Sequence, residues 1–336
     1  MNSRERIRTI IAGGEPDRCG FWMGNPYPDT WPLLLAHFGA PDEESLRQRL
    51  HDDYRWINPD ADYAHPEGRS MWHINKTAHG AAGPLAHAET VADVEAFDWP
   101  SLDYLNFEPT LERLRQLGPV YRASGYWTPF YHIVMDLFGM DTYMMNMYLN
   151  KAVVHAVTDR VCTFFYEANE RFFAQVGDLI DGFFFGNDFG TQRGLICGPA
   201  QFDEFVMPWF RRFTEQGHRW GYQVILHSCG SIYKVIDRLI DAGVDCLHPL
   251  QALAENMDAA TLARDFSGRI AFLGGIDTQE LLDRGTPEQV RAEVRRVRDL
   301  LGPNLIISPS HEAILPNVPL ENIRAMAEEA TGLGVE

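Results

Sequence analysis

Tyr222-Gln223-Val224-Ile225-Leu226-His227-Ser228-Cys229-Gly230 is a run of apolar, partly β-branched residues that stops at a histidine, a cysteine and a glycine. Ile232, Val235, Ile236, Leu239 and Ile240 follow at the i, i+3, i+4, i+7, i+8 spacing of a helix with one buried face. Gly243 then supplies the left-handed residue on which such a helix ends. The unit reads as a buried strand, a short loop and an amphipathic helix. Side chains two apart on an extended chain leave from the same side, so His227 and Cys229 share a face. An imidazole and a thiolate aimed at one point are half of a zinc site. The competing reading is a buried, apolar-like cysteine beside a histidine bonded to backbone.

The same unit recurs on both sides of this stretch. Downstream, strands are expected at 244–248, 269–277 and 304–308, with helices starting near Asp258, at Thr286 and at Leu320. Thr286-Pro287-Glu288-Gln289 has the form of a capping box with proline at its first helical position, and Gly302-Pro303 ends that helix. Upstream, strands are expected at 19–23, 54–57, 119–124 and 181–188. The stretch 130–176 reads as one long helical region whose Met135, Met140, Met144, Met145 and Met147 belong to buried helix faces. Pro199 opens a helix with Phe202, Phe205, Val206, Trp209, Phe210 and Phe213 on one broad apolar face. At the start, Ser3 caps a helix that presents Ile7, Ile10 and Ile11 and ends at Gly13-Gly14, and two more helices are expected at 30–38 and 43–50. Residues 59–109, rich in Pro, Gly, His and Asp, read as an irregular insertion with a hairpin and loops.

Strand–helix alternation of this length predicts a parallel sheet, open or closed. No Gly-x-Gly-x-x-Gly follows any strand, which weakens the open dinucleotide-binding arrangement. Polar residues gather at the carboxyl ends of the strands: Ser124, Asp188, His227, Cys229, His248, Asp277 and His311. In a barrel those ends make one mouth. The expected fold is thus a (β/α)8 TIM barrel with N-terminal helical and loop additions, a single domain spanning 1–336.

Composition bounds the partners. The chain has 336 residues, 45% of them hydrophobic and 23% charged, which suits a globular protein with a substantial core. Its formal net charge of −18 argues against nucleic acid or an anionic membrane surface, both of which need a basic footprint. No apolar run approaches the ~20 residues of a membrane span. Five cysteines without a framework spacing, and no secretory leader, read as a cytoplasmic protein.

The chain resembles the uroporphyrinogen decarboxylase superfamily, which includes zinc-dependent methyltransferases that work with corrinoid proteins. Arg4-Glu5-Arg6-Ile7 with Pro16-Asp17-Arg18 carries the resemblance at the start, and Asn187-Asp188-Phe189-Gly190-Thr191-Gln192-Arg193-Gly194 in the middle. His227-Ser228-Cys229-Gly230, Gly274-Gly275-Ile276-Asp277 and Pro316-Asn317-Val318-Pro319-Leu320-Glu321-Asn322-Ile323 continue it. Decarboxylases of this kind have an arginine-rich loop after the first strand; here Met23-Gly24-Asn25-Pro26-Tyr27-Pro28 holds no arginine to clamp a polycarboxylate. His227 and Cys229 match the His-x-Cys of the methyltransferase branch. Its third zinc ligand is usually a cysteine, and in that neighbourhood this chain has Ser310-His311-Glu312, so His311 is the candidate replacement and Glu312 the reserve.

The resemblance implies a methyltransferase moving a methyl group between a corrinoid protein and a small thiol or methoxy substrate, in either direction. Decarboxylation of a tetrapyrrole or other carboxylated molecule, and a barrel that binds a metabolite without turnover, are the alternatives. Zinc is the expected resident metal. The corrinoid belongs to a partner protein, since no stretch resembles an Asp-x-His-x-x-Gly corrinoid module, and a homodimer is a further expected assembly. Asp188 is the candidate general acid or substrate anchor, with helix capping as the alternative. Gln192 and Arg193 are expected to line the pocket, Arg193 holding a substrate carboxylate or a structural ion pair. His248 and Asp277 are candidate ligand contacts, with a rim position and an N-cap as their alternatives. Tyr126 and Trp127 are candidates for an aromatic wall.

Overall fold

The computed structural model describes residues 1–74 and 82–335. Eight parallel strands form one sheet: β1 (Gly20–Phe21), β2 (Tyr54–Trp56), β3 (Tyr121–Ser124), β4 (Gly182–Gly186), β5 (Gln223–His227), β6 (Cys246–His248), β7 (Ala271–Ile276) and β8 (Leu305–Pro309). Neighbours in sequence are neighbours in space, and β8 returns to pair with β1 through Gly20–Ile306 and Phe21–Ile307. The seam between β1 and β2 is closed by Asp53, whose backbone N–H donates to the Phe21 carbonyl at 2.9 Å while its carboxylate accepts from the Phe21 N–H at 3.1 Å. The expected (β/α)8 barrel is what the chain forms.

Strand alternation sorts the side chains. Trp22, Tyr54, Tyr121, Phe184, Ile225, Cys246, Leu273 and Ile306 fill the barrel interior, while Phe183, Phe185, Val224, Leu226, Phe272 and Ile307 face the surrounding helices. The helix Ser3–Ile11 plugs the amino-terminal end, placing Ile7, Ile10 and Ile11 against that interior cluster. Its cap is Asn2 rather than Ser3: the Asn2 side chain accepts from the Glu5 N–H, and the Glu5 carboxylate accepts from the Asn2 N–H. At the same end, Asp53, Asp181 and Asp245 stand immediately before β2, β4 and β6. Each carboxylate accepts a backbone N–H from the strand before: Phe21, Arg122 and Val224. Alternate strand pairs are thereby stitched at the bottom of the barrel, the end associated with stability rather than chemistry.

Several expectations need correction. The described part of 59–109 forms short helical turns at Asp60–Asp62, Val91–Glu95 and Leu102–Tyr104 and a single antiparallel bridge, Tyr63–Leu105, instead of a hairpin; residues 75–81 of that insertion lie outside the described residues. The helical region 130–176 is broken at Gly139 and Asn150 into Phe130–Phe138, Met140–Leu149 and Lys151–Val176. Met135 and Met147 are buried as expected, but Met140 and Met145 are exposed, because the middle helix turns one face to solvent. The box at Thr286 forms as read, with Gln289 completing it.

Candidate functional site

The register of three adjacent strands builds the site. Gly186 on β4 pairs with His227 on β5, and His227 pairs with His248 on β6. Continuing two residues past the first of these pairs brings Asp188 level with Cys229. The Asp188 Oδ1 accepts the Cys229 backbone N–H at 2.8 Å and lies 3.3 Å from His227 Nε2. The Cys229 Sγ lies 3.3 Å from that same nitrogen. The donor atoms of Asp188, His227 and Cys229 thus all fall within 4.8 Å of one another.

His227 uses its other nitrogen in a different direction. Its Nδ1 lies 2.9 Å from His248 Nδ1 and 3.5 Å from Glu312 Oε2, making a second and deeper group of three. His248 Nε2 and Glu312 Oε2 are both buried without a hydrogen-bond partner among the described residues. His311 reaches the first group from the rim, where its imidazole hydrogen-bonds the Cys229 sulfur and its Nδ1 accepts from the Ala313 N–H at 3.1 Å. His227, Cys229, Asp188 and His311 are therefore brought together, whereas Glu312 sits with His248 on the opposite face of the His227 ring.

The electrostatics follow from this crowding. Burial pulls the His227 imidazole toward neutrality, but the charge of Glu312 and hydrogen bonds to Asp188 and Cys229 outweigh it and hold its pKa well above the usual value. For His248, burial and the neighbouring His227 and His311 act in one direction and keep it neutral. Burial raises the Cys229 thiol, yet bonds from His227 and His311 bring it below that of an ordinary cysteine. Burial likewise raises Asp188, and its bond with His227 more than offsets this, leaving it below the usual carboxylate range.

The expected result in metal-free protein is that iodoacetamide alkylates Cys229 with a pH midpoint below that of a free cysteine thiol, because the thiolate is the reactive form. His227→Gln should move that midpoint upward. An unshifted midpoint in the variant would show that the imidazole does not stabilise the thiolate.

One side of the mouth is aromatic. Trp127 lies over Gly186, where an added Cβ would fall 2.1 Å from the indole, so only glycine leaves room for the ring. Its ring centroid is 5.1 Å from His227 and 4.7 Å from Trp56. Tyr126 does not share this wall. It turns outward into the layer beneath the helices, against Phe107 and Phe165, because successive residues leave on opposite sides of extended chain.

On the other side, a cleft of about 490 Å³ opens beside His311, lined by Gln251, Leu282, Ile314, Leu315 and Val318 among others.

The remaining candidates lie outside this converging group. Asp277 accepts the backbone N–H groups of Gln279, Glu280 and Leu281, which is the capping reading. Gln192 and Arg193 are exposed on the turn of a short hairpin, Gly190–Thr191 with Gly194–Leu195, that sequence periodicity did not reveal. That hairpin packs on the His227 loop, since a Cβ on Gly230 (φ +78°) would lie 2.5 Å from the Gly190 carbonyl. Trp56 and Gln251, whose Oε1 accepts from the Gly230 N–H at 2.7 Å, were not anticipated. Trp56 was legible only as a strand residue; its inward direction depends on register.

A parallel barrel with histidine, cysteine and carboxylate converging at its carboxyl-terminal mouth defines the class. The chain belongs to the uroporphyrinogen decarboxylase (URO-D) family, whose model matches residues 122–333. It is similar to a methylated-thiol–coenzyme M methyltransferase of Methanosarcina mazei, at 27% identity over 130 residues, 39% of this chain and 32% of that protein. The match therefore spans about a third of that relative's length. A solved methyltransferase structure from Methanosarcina mazei shares the fold with a TM-score of 0.66 at 14% identity, over 98% of each chain. No helix among the described residues is long and apolar enough to cross a membrane.

Proposed function

We infer that this chain is a zinc-dependent methyltransferase that moves a methyl group between a corrinoid protein and a small thiol or methoxy substrate. One observation carries the reading: His227 Nε2 has Cys229 Sγ and Asp188 Oδ1 each 3.3 Å away, close to the donor separation of roughly 3.3–3.7 Å that bonds of ~2.0–2.3 Å to a tetrahedral ion require. The donor set fits zinc: one thiolate, one imidazole and one carboxylate are all accepted ligands, and three of them leave a position open for substrate. These distances favour Asp188 over His311 as the third ligand.

Zinc bound there would supply Lewis acidity, lowering the pKa of a substrate thiol or polarising a methoxy oxygen. The chain's own residues do the rest. His311, at the rim and bonded to the same sulfur, holds its proton there because Cys229 and the charge of Glu312 raise its pKa, and it would stand as a positive charge beside a substrate thiolate. The cleft beside it, floored by Leu282, Ile314 and Val318, offers an apolar seat for the substrate's carbon skeleton. Trp127 and Trp56 shield the other flank from water. The resemblance of the His-x-Cys motif supports the corrinoid as methyl carrier, and the names of the similar proteins support the reaction class.

A polycarboxylate is a poor fit. Arg47 and Arg55, nearest the loop after β1, are buried in ion pairs with Asp52 and Glu44 instead of standing free as a clamp. The test is direct. Purified protein should hold about one zinc per chain. The zinc-loaded protein should convert methylcob(III)alamin to cob(I)alamin in the presence of a small thiol, or methylate cob(I)alamin from a methoxyarene. Protein that holds no zinc, yet decarboxylates uroporphyrinogen, would overturn the reading.

A further inference from the structure

The inference concerns His248 and rests on the zinc reading above. An imidazole nitrogen binds a metal through its lone pair, so a metal-ligating His227 must carry its ring proton on Nδ1. That N–H needs an acceptor. Two groups lie nearby: His248 Nδ1 at 2.9 Å and Glu312 Oε2 at 3.5 Å. The carboxylate oxygen makes no hydrogen bond, so the acceptor is the second imidazole.

His248 must then present a lone pair at Nδ1 and hold its own proton on Nε2. The fold is arranged to keep it so. The β5–β6 register sets the two histidines side by side. The His248 ring is fully buried between Trp22, at 5.3 Å, and Phe184, at 5.3 Å between centroids. Its Nε2 meets no donor among the described residues that would favour the opposite tautomer, with the proton on Nδ1. Carboxylates and backbone carbonyls are the usual partners of a ligating histidine. Here a neutral imidazole takes that place.

We propose that His248 is a positioning residue for the metal site, accepting the Nδ1 proton of His227 so that the Nε2 lone pair faces Cys229 and Asp188. It touches neither metal nor substrate. Loss of such an outer partner lowers metal affinity by roughly 10–100-fold.

Replacement by amides of different length tests the geometry. In His248→Asn the side-chain oxygen lies where Nδ1 does now, and it accepts. In His248→Gln the amide reaches only the position of Nε2. The measurement is zinc affinity by competition with a chromophoric chelator, together with the thiolate-to-cobalt absorption of the Co(II)-substituted protein. Expected are a loss of roughly 10–100-fold in affinity for His248→Gln and His248→Ala, and recovery of most of it in His248→Asn. The Co(II) band should shift in the first two variants and return in the third. Equal affinity in all three variants and wild type overturns the inference while leaving the zinc reading intact. Wild-type protein that binds neither zinc nor Co(II) overturns both. If His248→Ala does not fold, the Asn and Gln pair decides the matter alone, since both fill the site.

Discussion

Replacing Cys229 by alanine is expected to strip the protein of zinc and to lower methyl transfer by roughly a thousandfold, which corresponds to ~4 kcal/mol of transition-state stabilisation. The size follows from what the sulfur touches. It is the only thiol among the described residues in the converging group, and both His227 and His311 direct hydrogen bonds at it. Removing it leaves an imidazole and a carboxylate, too few donors to hold zinc against water at micromolar concentration. Cys229→Ser separates two roles. It keeps a polar atom at the same place but not a soft thiolate, so zinc content should fall nearly as far as in the alanine variant. Metal analysis of dialysed protein reads the first effect, and the rate of methylcob(III)alamin consumption with a small thiol reads the second. Full zinc occupancy in Cys229→Ala would place the ion elsewhere.

At the opposite end of the barrel, Asp53→Ala is expected to cost about 3–5 kcal/mol of folding stability, the range for removing one partner from a buried ionic cluster. The Asp53 carboxylate is fully buried and accepts from Arg6 Nη1 at 2.7 Å, from Arg18 at 2.8 and 2.9 Å, from the Ser3 hydroxyl at 2.7 Å and from the Phe21 N–H. Alanine would strand the nearly buried Arg6 charge and leave the Phe21 N–H without an acceptor, while Asp17 still reaches Arg6 from the surface side. The midpoint of urea unfolding reads the effect. Zinc content per folded chain should not change, because this cluster lies at the amino-terminal end of the strands and the metal site at the other. An unfolding free energy within about 1 kcal/mol of wild type would mean that the cluster is worth no more than a surface pair.

The barrel was legible in the sequence because strand and helix periods repeat and are punctuated by glycine and proline. The pairing of His227 with Cys229 was legible for the same reason: an extended chain dictates which side chains share a face. The rest of the site depends on register between strands far apart in sequence. Nothing local to Asp188 says that Gly186 stands opposite His227, and nothing local to His248 says that its Nδ1 meets another imidazole. Glu312 was the reserve ligand by resemblance, and its position beside His227 Nδ1 instead of Cys229 comes from how the loop after β8 folds back. Tyr126 and Trp127 looked interchangeable as neighbouring aromatics, yet one residue's difference sends them to opposite layers.

The order in which the strands are joined has a bearing on biosynthesis. The ladder partner of β1 is β8, which follows it by 286 residues (Gly20 to Ile306), while its other edge is held by Asp53 and by Asp52, whose carboxylate accepts the Met23 N–H at 3.3 Å. Until Leu305–Pro309 emerges, a growing chain presents Phe21 and Trp22 on an unfilled edge, a template for sticking to other nascent chains. The amino-terminal helix meets the same delay, for Asn304 is what ties the Ile10 carbonyl in place. Nearly three hundred residues must therefore follow before this segment can be locked, and chaperone contact during synthesis should concentrate on it.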